Sequence, residues 1–488
     1  MQKSFLQNIA FLVLVNLIVK PFWILGIDRT VQNTVGHELY GSYQAMFNIA
    51  IIFNIILDFG LHAYSSRVVA QSPSMMQGLL PNIALAKAFF SLVYLGITLG
   101  YGFLQGVGSL HFKLLLILSL MQIVLSYLQY FRSNIAALQL FKTDGIFSVL
   151  DRIIAILILG AILYTPLSIG SSFNIEWYAW VQVLAYSLAA VAACWLCLRL
   201  QKLRSVSINW KKIWVIVRHS IPYALLVFCM SVYMRIDVVM LEYISHDASI
   251  AGRYAAAFRL LDVCNNMSGV LLGSMLLPLF ARMIAQKQDL GSIVHLCVTI
   301  LLPLAIMVAV VAYFRGADIM QWLYKDVRSE DGRVLFLLMC CYPFYCINYI
   351  YATLLTANGN LRILIGISAL AVLLNVVLNI TFLSARNADN GWWAALNACL
   401  TLAFVALANM WFSYRKMGLA LPWILIMRVL LFAALFVLLN VVMVAFLHWS
   451  LVPSLVLSVV GGIGLVFAVG IIRPGVLLIQ IKQILQGR

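Results

Sequence analysis

LLFAALFVLLNVVMVAFL, residues Leu430–Leu447, holds one polar side chain, Asn440, and no charge. IALAKAFFSLVYLGITLGYGFL, residues Ile83–Leu104, is a second long and mostly apolar block. A hydrocarbon core of about 30 Å takes about 20 helical residues to cross, so either block is long enough to span it. Lipid offers no partner to backbone N–H and C=O groups, which leaves helices or closed barrels as the only spanning structures. Continuous apolar runs, rather than short alternating segments, exclude the barrel.

The whole chain follows this pattern. Of its 488 residues 64% are hydrophobic and 10% charged, where a soluble domain carries about 25% charged residues. The expected fold is an all-α integral membrane bundle of about fourteen transmembrane helices. The predicted spans are 8–27, 42–59, 83–104, 113–131, 149–165, 177–198, 220–241, 253–280, 292–314, 334–354, 363–383, 392–412, 423–447 and 453–472. The loops between them are too short to form a catalytic domain. The first apolar run is broken by Lys20-Pro21 and no small-residue cleavage pattern follows, so the first helix is expected to stay.

The net charge of +16 does not indicate nucleic acid, because the basic residues sit at helix flanks. They fall mostly on one set of loops, including Arg132, Lys142, Arg199, Lys211, Lys212, Arg362, Arg415 and Lys416. The positive-inside rule then puts both termini in the cytoplasm, with an even number of spans. The nine cysteines read as apolar packing, and the histidines show no metal-ligand spacing. No cofactor is expected. A coupling ion, H+ or Na+, is left open.

The chain also repeats itself. Gly41–Phe47 reads GSYQAMF and Gly252–Phe258 reads GRYAAAF, a shared G-x-Y-x-A-x-F at the starts of the second and eighth spans. Ala137–Lys142 after the fourth span pairs in the same way with Ala357–Arg362 after the tenth. A six-helix offset gives two parallel repeats, and transporters built so carry their substrate between the halves. The expected organisation is an N-terminal six-helix lobe over 1–198 and a basic amphipathic linker over 199–219. A C-terminal six-helix lobe over 220–412 follows, and then two extra helices with a basic tail over 413–488.

Charges at membrane depth cost about 2.5–3.5 kcal/mol on insertion scales and mark candidate sites. Lys20, beside Pro21 in the first span, is the clearest. Arg235 and Asp237 lie in the seventh span, and Arg259 and Asp262, three residues apart, in the eighth. Asn48 and Asp58 in the second span and Asn266 in the eighth extend the polar rows. Lys20, Arg235, Arg259, Asn48 and Asn266 are the candidate substrate-binding residues, and Asp58, Asp237 and Asp262 are candidate ion or charge-pair residues. The plainer alternatives are a snorkelling lysine for Lys20, an internal ion pair for Arg259 with Asp262, a structural role for Arg235 with Asp237 and a helix-ending turn for Asp58.

Several of these stretches together resemble the bacterial polysaccharide exporters, the O-antigen and capsule flippases of the multidrug/oligosaccharidyl-lipid/polysaccharide superfamily. They are Val35–Tyr43, Asp58–Leu61, Gln139–Lys142, Gly252–Phe258 and Asn358–Asn360. The resemblance covers essentially the whole chain. It implies two six-helix lobes with alternating access in a cell inner membrane and no enzymatic activity. It also implies an undecaprenyl-diphosphate-linked oligosaccharide as substrate, as in lipopolysaccharide or capsule assembly. Lys20 matches by its place in the first helix the basic residues that line such cavities, and Arg235 and Arg259 match only by lying on cavity-facing helices. A polysaccharide polymerase is the partner protein such a pathway suggests. Two other functions fit the residues: a multidrug antiporter of the same superfamily, which would want deep acidic groups, and a membrane glycan polymerase or ligase, which would need a larger outer loop.

Overall fold

The computed structural model describes residues 15–472, apart from 17, 59–60, 62–64, 66–68, 70–75, 107, 139, 165–172, 201–209, 246, 386–390, 420–421 and 447–449. Within these the chain forms fourteen consecutive helices and no strand. The first, α1, is described over 18–35 and contains a π-helical turn at Trp23–Asp28 before ending as Arg29–Val35. Next come α2 (His37–Phe53, prolonged after a turn at Asn54 by Ile55–Asp58), α3 (Met76–Leu104), α4 (Ser109–Ala137), α5 (Phe141–Tyr164), α6 (Ile175–Leu200) and α7 (Trp210–Ser245). They are followed by α8 (Ala248–Ala285), α9 (Gly291–Leu323), α10 (Asp331–Ala357), α11 (Leu361–Ala385), α12 (Trp392–Met417), α13 (Trp423–Phe446) and α14 (Leu451–Ala468).

Twelve of these helices are long and apolar enough to cross a membrane. They match twelve of the predicted spans. Of the remaining two, 8–27 has only its later part among the described residues, and 253–280 is helical throughout as part of α8. Residues 201–209 of the basic linker 199–219 and all of the tail 473–488 lie outside the described residues. From Trp210 onward the linker region is the first part of α7.

The chain forms two compact units: Met1–Ala256 with Ser368–Asp389, and Ala257–Ile367 with Asn390–Arg488. In the first, α4 packs along α6, and α2 along α7. Side-chain amides and hydroxyls join helices that have no hydrophobic drive to associate in lipid. Asn54 donates to Gln122 Oε1 at 2.9 Å and Ser65 to Asn134 Oδ1 at 2.8 Å. In the second unit α10 packs along both α9 and α12. Asn409 donates to Asn348 Oδ1 at 2.8 Å, and the Tyr351 and Tyr414 hydroxyls meet at 3.1 Å. The intimate pair α10–α12 is the pair α4–α6 moved on by six helices, the offset of the sequence repeat.

The last two helices join the second unit along α9. Met307 of α9, Phe432 and Phe436 of α13 and Val466 of α14 form one buried apolar cluster. Ser458 donates to Asn440 Oδ1 at 2.9 Å, so the one polar residue of the Leu430–Leu447 block is used to hold α13 to α14.

The two copies of G-x-Y-x-A-x-F meet at the starts of α2 and α8. A Cβ on Gly41 would lie 1.9 Å from the Ala248 carbonyl oxygen, and one on Gly252 would lie 1.9 Å from that of His37. Each glycine thus touches the backbone four residues before the other, a reciprocal contact with local two-fold character. Gln32 fastens it by donating to the Gly252 carbonyl at 3.0 Å, and its side chain also bonds His37 Nδ1 at 2.9 Å. Beside it, Asp247 opens α8 by accepting from the Ser249 N–H at 2.8 Å. Burial pushes the Asp247 carboxyl up, but the Ser249 hydrogen bonds and the Arg253 charge outweigh it and hold it below the usual range.

Candidate functional site

Lys20 is half-buried on α1 and sits in a cluster of charges. It lies within electrostatic reach of Arg152, Arg132 and Asp151. Arg152, midway along α5, holds its guanidinium 4.9 Å over the Trp23 ring and 5.4 Å over the Tyr186 ring. Its Nε is 3.4 Å from Asp151 Oδ2. Arg132, near the end of α4, bonds Asp144 at 2.9 Å. Trp23 is three residues from Lys20, so α1 presents ammonium and indole toward α5 on neighbouring positions of one face. Arg152 and Arg132 each hold a carboxylate, and Lys20 feels both arginines, in a helical environment where unpaired charge is expensive.

Sequence reasoning found Lys20 and missed Arg152 with Asp151. The predicted fifth span began at 149, which made the pair look like a flank. The helix begins at Phe141, and this moves both residues to mid-helix.

Asp28, one residue past the predicted first span 8–27, is 2% exposed. Its carboxylate accepts from the hydroxyls of Tyr40, at 2.8 Å, and Tyr178. Gln44 donates in turn to the Tyr40 oxygen at 2.8 Å, and Gln182 to that of Tyr43 at 2.9 Å. Trp23 stacks on Tyr178 with centroids 5.9 Å apart, which joins the buried carboxylate to the aromatic side of the Arg152 cluster.

The other predicted residues go to different places. Asp58 bonds Lys87 at 2.9 Å. Lys87 is 1% exposed and gives its remaining donors to the Leu57 carbonyl at 3.1 Å and Ser126 at 2.7 Å. This lysine was absent from the sequence-level candidates, although a lone cation inside Ile83–Leu104 signals a buried acid somewhere. Asp237 accepts from two amides of α11, Asn375 at 3.1 Å and Asn379 at 2.7 Å. Arg235, two residues earlier, is half-buried on α7. Arg259 and Asp262 pair at 3.5 Å within α8, and Asn266 donates to the Asp262 carbonyl at 2.8 Å. Asn48 is buried on α2, and its side-chain oxygen meets no hydrogen-bond donor among the described residues. Within the first unit the charges around Lys20 come together, while Asp58 and Asp237 each sit in a separate polar contact.

Solved structures of similar fold are transporters. The lipid II flippase MurJ in its inward closed conformation matches 93% of this chain and 98% of its own, with 16% identity and a TM-score of 0.69. An inward-facing multidrug resistance MATE family transporter of the MOP superfamily matches 84% and 98%, with 12% identity and a TM-score of 0.57. A Vibrio cholerae MATE transporter matches 85% and 96%, with 14% identity and a TM-score of 0.53. At these identities the likeness is one of fold. No curated protein matches the sequence. The family model for polysaccharide biosynthesis proteins matches residues 5–284, more than half of the chain. This all-helical, multi-pass membrane protein therefore belongs to the polysaccharide biosynthesis protein family.

Proposed function

We propose that the protein is a flippase that carries an undecaprenyl-diphosphate-linked oligosaccharide from the inner to the outer leaflet of a cell inner membrane. The observation that carries this reading is Lys20, an ammonium on the first helix within electrostatic reach of Arg152 and Arg132. A diphosphate and a glycan lose their hydration in hydrocarbon without replacement partners, and cationic donors replace it, while the polyprenyl tail stays in lipid. In this reading the lobes are 1–198 and 220–412, joined by the basic segment 199–219. They rock against each other with both termini in the cytoplasm, and the tail 413–488 adds two helices. Lys20 holds the diphosphate, with Arg235 and Arg259 as further cations and Asn48 and Asn266 as glycan contacts. Asp58, Asp237 and Asp262 balance charge, and any coupling ion, H+ or Na+, would be sought at Asp237. A polysaccharide polymerase would take up the product on the outer side.

The test is to follow the lipid-linked repeat unit. A deletion strain accumulates it on the inner leaflet, whereas loss of a polymerase would leave it on the outer one. A hydrogen bond to a charged group contributes about 1.5–3 kcal/mol, so Lys20→Ala is expected to lower export roughly ten- to hundredfold. Lys20→Arg keeps part of it. Normal surface glycan in a Lys20→Ala strain with wild-type protein levels would reject the assignment.

One observation favours a second reading, export of cationic drugs: the buried carboxylate of Asp28 on α1. That reading expects Asp28→Asn to restore drug susceptibility to the level of the deletion strain. The flippase reading expects the same susceptibility in wild-type, Asp28→Asn and deletion strains, as measured by minimum inhibitory concentrations of lipophilic cations.

A further inference from the structure

We infer that the cavity where α2, α3, α4 and α7 meet is a binding site for one sugar ring of the lipid-linked glycan. This deepens the flippase reading and rests on it. With both termini in the cytoplasm, the cavity lies toward the outer end of the first unit. The end of α3, the start of α4 and the end of α7 enclose about 230 Å³, over a floor that includes Ile49 of α2. Pockets for drug-sized ligands run from roughly 300 Å³ upward, so this space suits a single ring rather than a chain of sugars. Tyr101 and Tyr243 line it, together with Gln105, His111 and Glu242. His111 Nε2 lies 3.3 Å from Glu242 Oε1. That contact engages one ring nitrogen and one carboxylate oxygen, and the two side chains stay 32% and 15% exposed. Neighbouring hydroxyls of a sugar are each donor and acceptor, so they can meet a carboxylate, an imidazole and an amide in one place. The C–H face of the ring needs an apolar partner, and the negative face of an aromatic ring attracts polarised C–H groups. Tyr101 supplies such a face and is held by Phe53 of α2, with ring centroids 5.8 Å apart. A cation is a poorer fit, because Glu242 is the one carboxylate among the described residues lining the space and His111 already meets it. A contact that merely joined α4 to α7 would need neither the space nor the two tyrosines beside it.

The test uses the full-length protein in nanodiscs, which leave both leaflets open to lipid. The probes are the lipid-linked repeat unit extracted from the deletion strain, bare undecaprenyl diphosphate and tetraphenylphosphonium, with affinity read by native mass spectrometry. Wild-type protein is expected to hold the repeat unit severalfold more tightly than bare undecaprenyl diphosphate. Glu242→Gln is expected to weaken binding of the repeat unit about tenfold, the size of one charged hydrogen bond, and to leave bare undecaprenyl diphosphate unchanged. Gln105→Ala, at an exposed position just past α3, acts in the same direction by about fivefold, the size of one neutral bond. A purely structural contact between His111 and Glu242 would instead move both lipids together. If Glu242→Gln does not fold, Gln105→Ala decides. Three results overturn the sugar assignment and leave the flippase reading standing: wild-type protein that holds both lipids equally, repeat-unit affinity unchanged in either variant, or both lipids weakened alike. Tetraphenylphosphonium bound by wild type and lost in Glu242→Gln gives the cavity to a cation and also overturns it. A deletion strain that yields no such lipid, or a wild-type protein that does not bind it, overturns both readings.

Discussion

Replacing Gly252 with valine is expected to abolish glycan export while the protein remains in the membrane. The reason is the contact between α2 and α8. Even a single Cβ at position 252 would lie 1.9 Å from the His37 carbonyl oxygen, and that oxygen belongs to backbone, which cannot rotate aside. The starts of the two helices must therefore separate. Adding methyl groups to a packed contact costs about 1–3 kcal/mol where the structure can adjust, and each 1.4 kcal/mol is a factor of about ten in population. The rocking of the lobes proposed above needs the starts of α2 and α8 to come together again in each cycle, so a protein that holds them apart cannot complete one. Gly41→Val should act alike, since its Cβ would meet the Ala248 carbonyl at the same distance. Export is read as surface glycan. Closure is read as the reaction of a Ser249→Cys thiol with an impermeant maleimide, which rises in both glycine variants. Export at wild-type level in Gly252→Val would show that the contact has no part in transport.

Lys87→Met is expected to unfold the protein or remove it from the membrane. All three ammonium donors are engaged, with Asp58 at 2.9 Å, the Leu57 carbonyl at 3.1 Å and Ser126 at 2.7 Å. Removing one member of a buried ion pair costs about 3–5 kcal/mol, a large share of the 5–15 kcal/mol that holds a typical domain together, and Lys87, the buried member, carries three bonds here. The double variant Asp58→Asn with Lys87→Met should recover much of that loss, because the charge that Lys87 balances is then removed with it. Thermal melting of the four proteins of this cycle in detergent measures the coupling. Equal melting temperatures for Lys87→Met and wild type would mean that the pair contributes nothing to stability.

The helical architecture was readable because lipid enforces it: blocks such as Leu430–Leu447 have no other way to satisfy their backbone. The repeat was readable from Gly41–Phe47 and Gly252–Phe258, although only the contact between the two helix starts explains why glycine stands at the head of both. The charged residues were harder to read. Asp58 was visible, but its partner Lys87 lies 29 residues on, and sequence distance does not reveal which carboxylate a buried lysine will find. Asp28 looked like a helix end beside Arg29, because the tyrosines that bury it come from α2 and α6. Arg152 was hidden by a span boundary placed eight residues late. Periodicity finds helices well and their ends poorly, and whether a charge is deep or superficial depends on the ends.

The widened turn at Trp23–Asp28 sets the phase of the opening helix. A π turn carries one residue more than an α turn, and one residue is worth about 100° of rotation. Lys20 and Trp23 on one side of it face the Arg152 cluster, while Asp28 at its far end reaches Tyr40 and Tyr178. In an unbroken α-helix the two sets would fall out of step by about that angle, and only one could meet its partners. The extra residue lets a single helix serve a cationic neighbour and an acid-binding tyrosine pair at once.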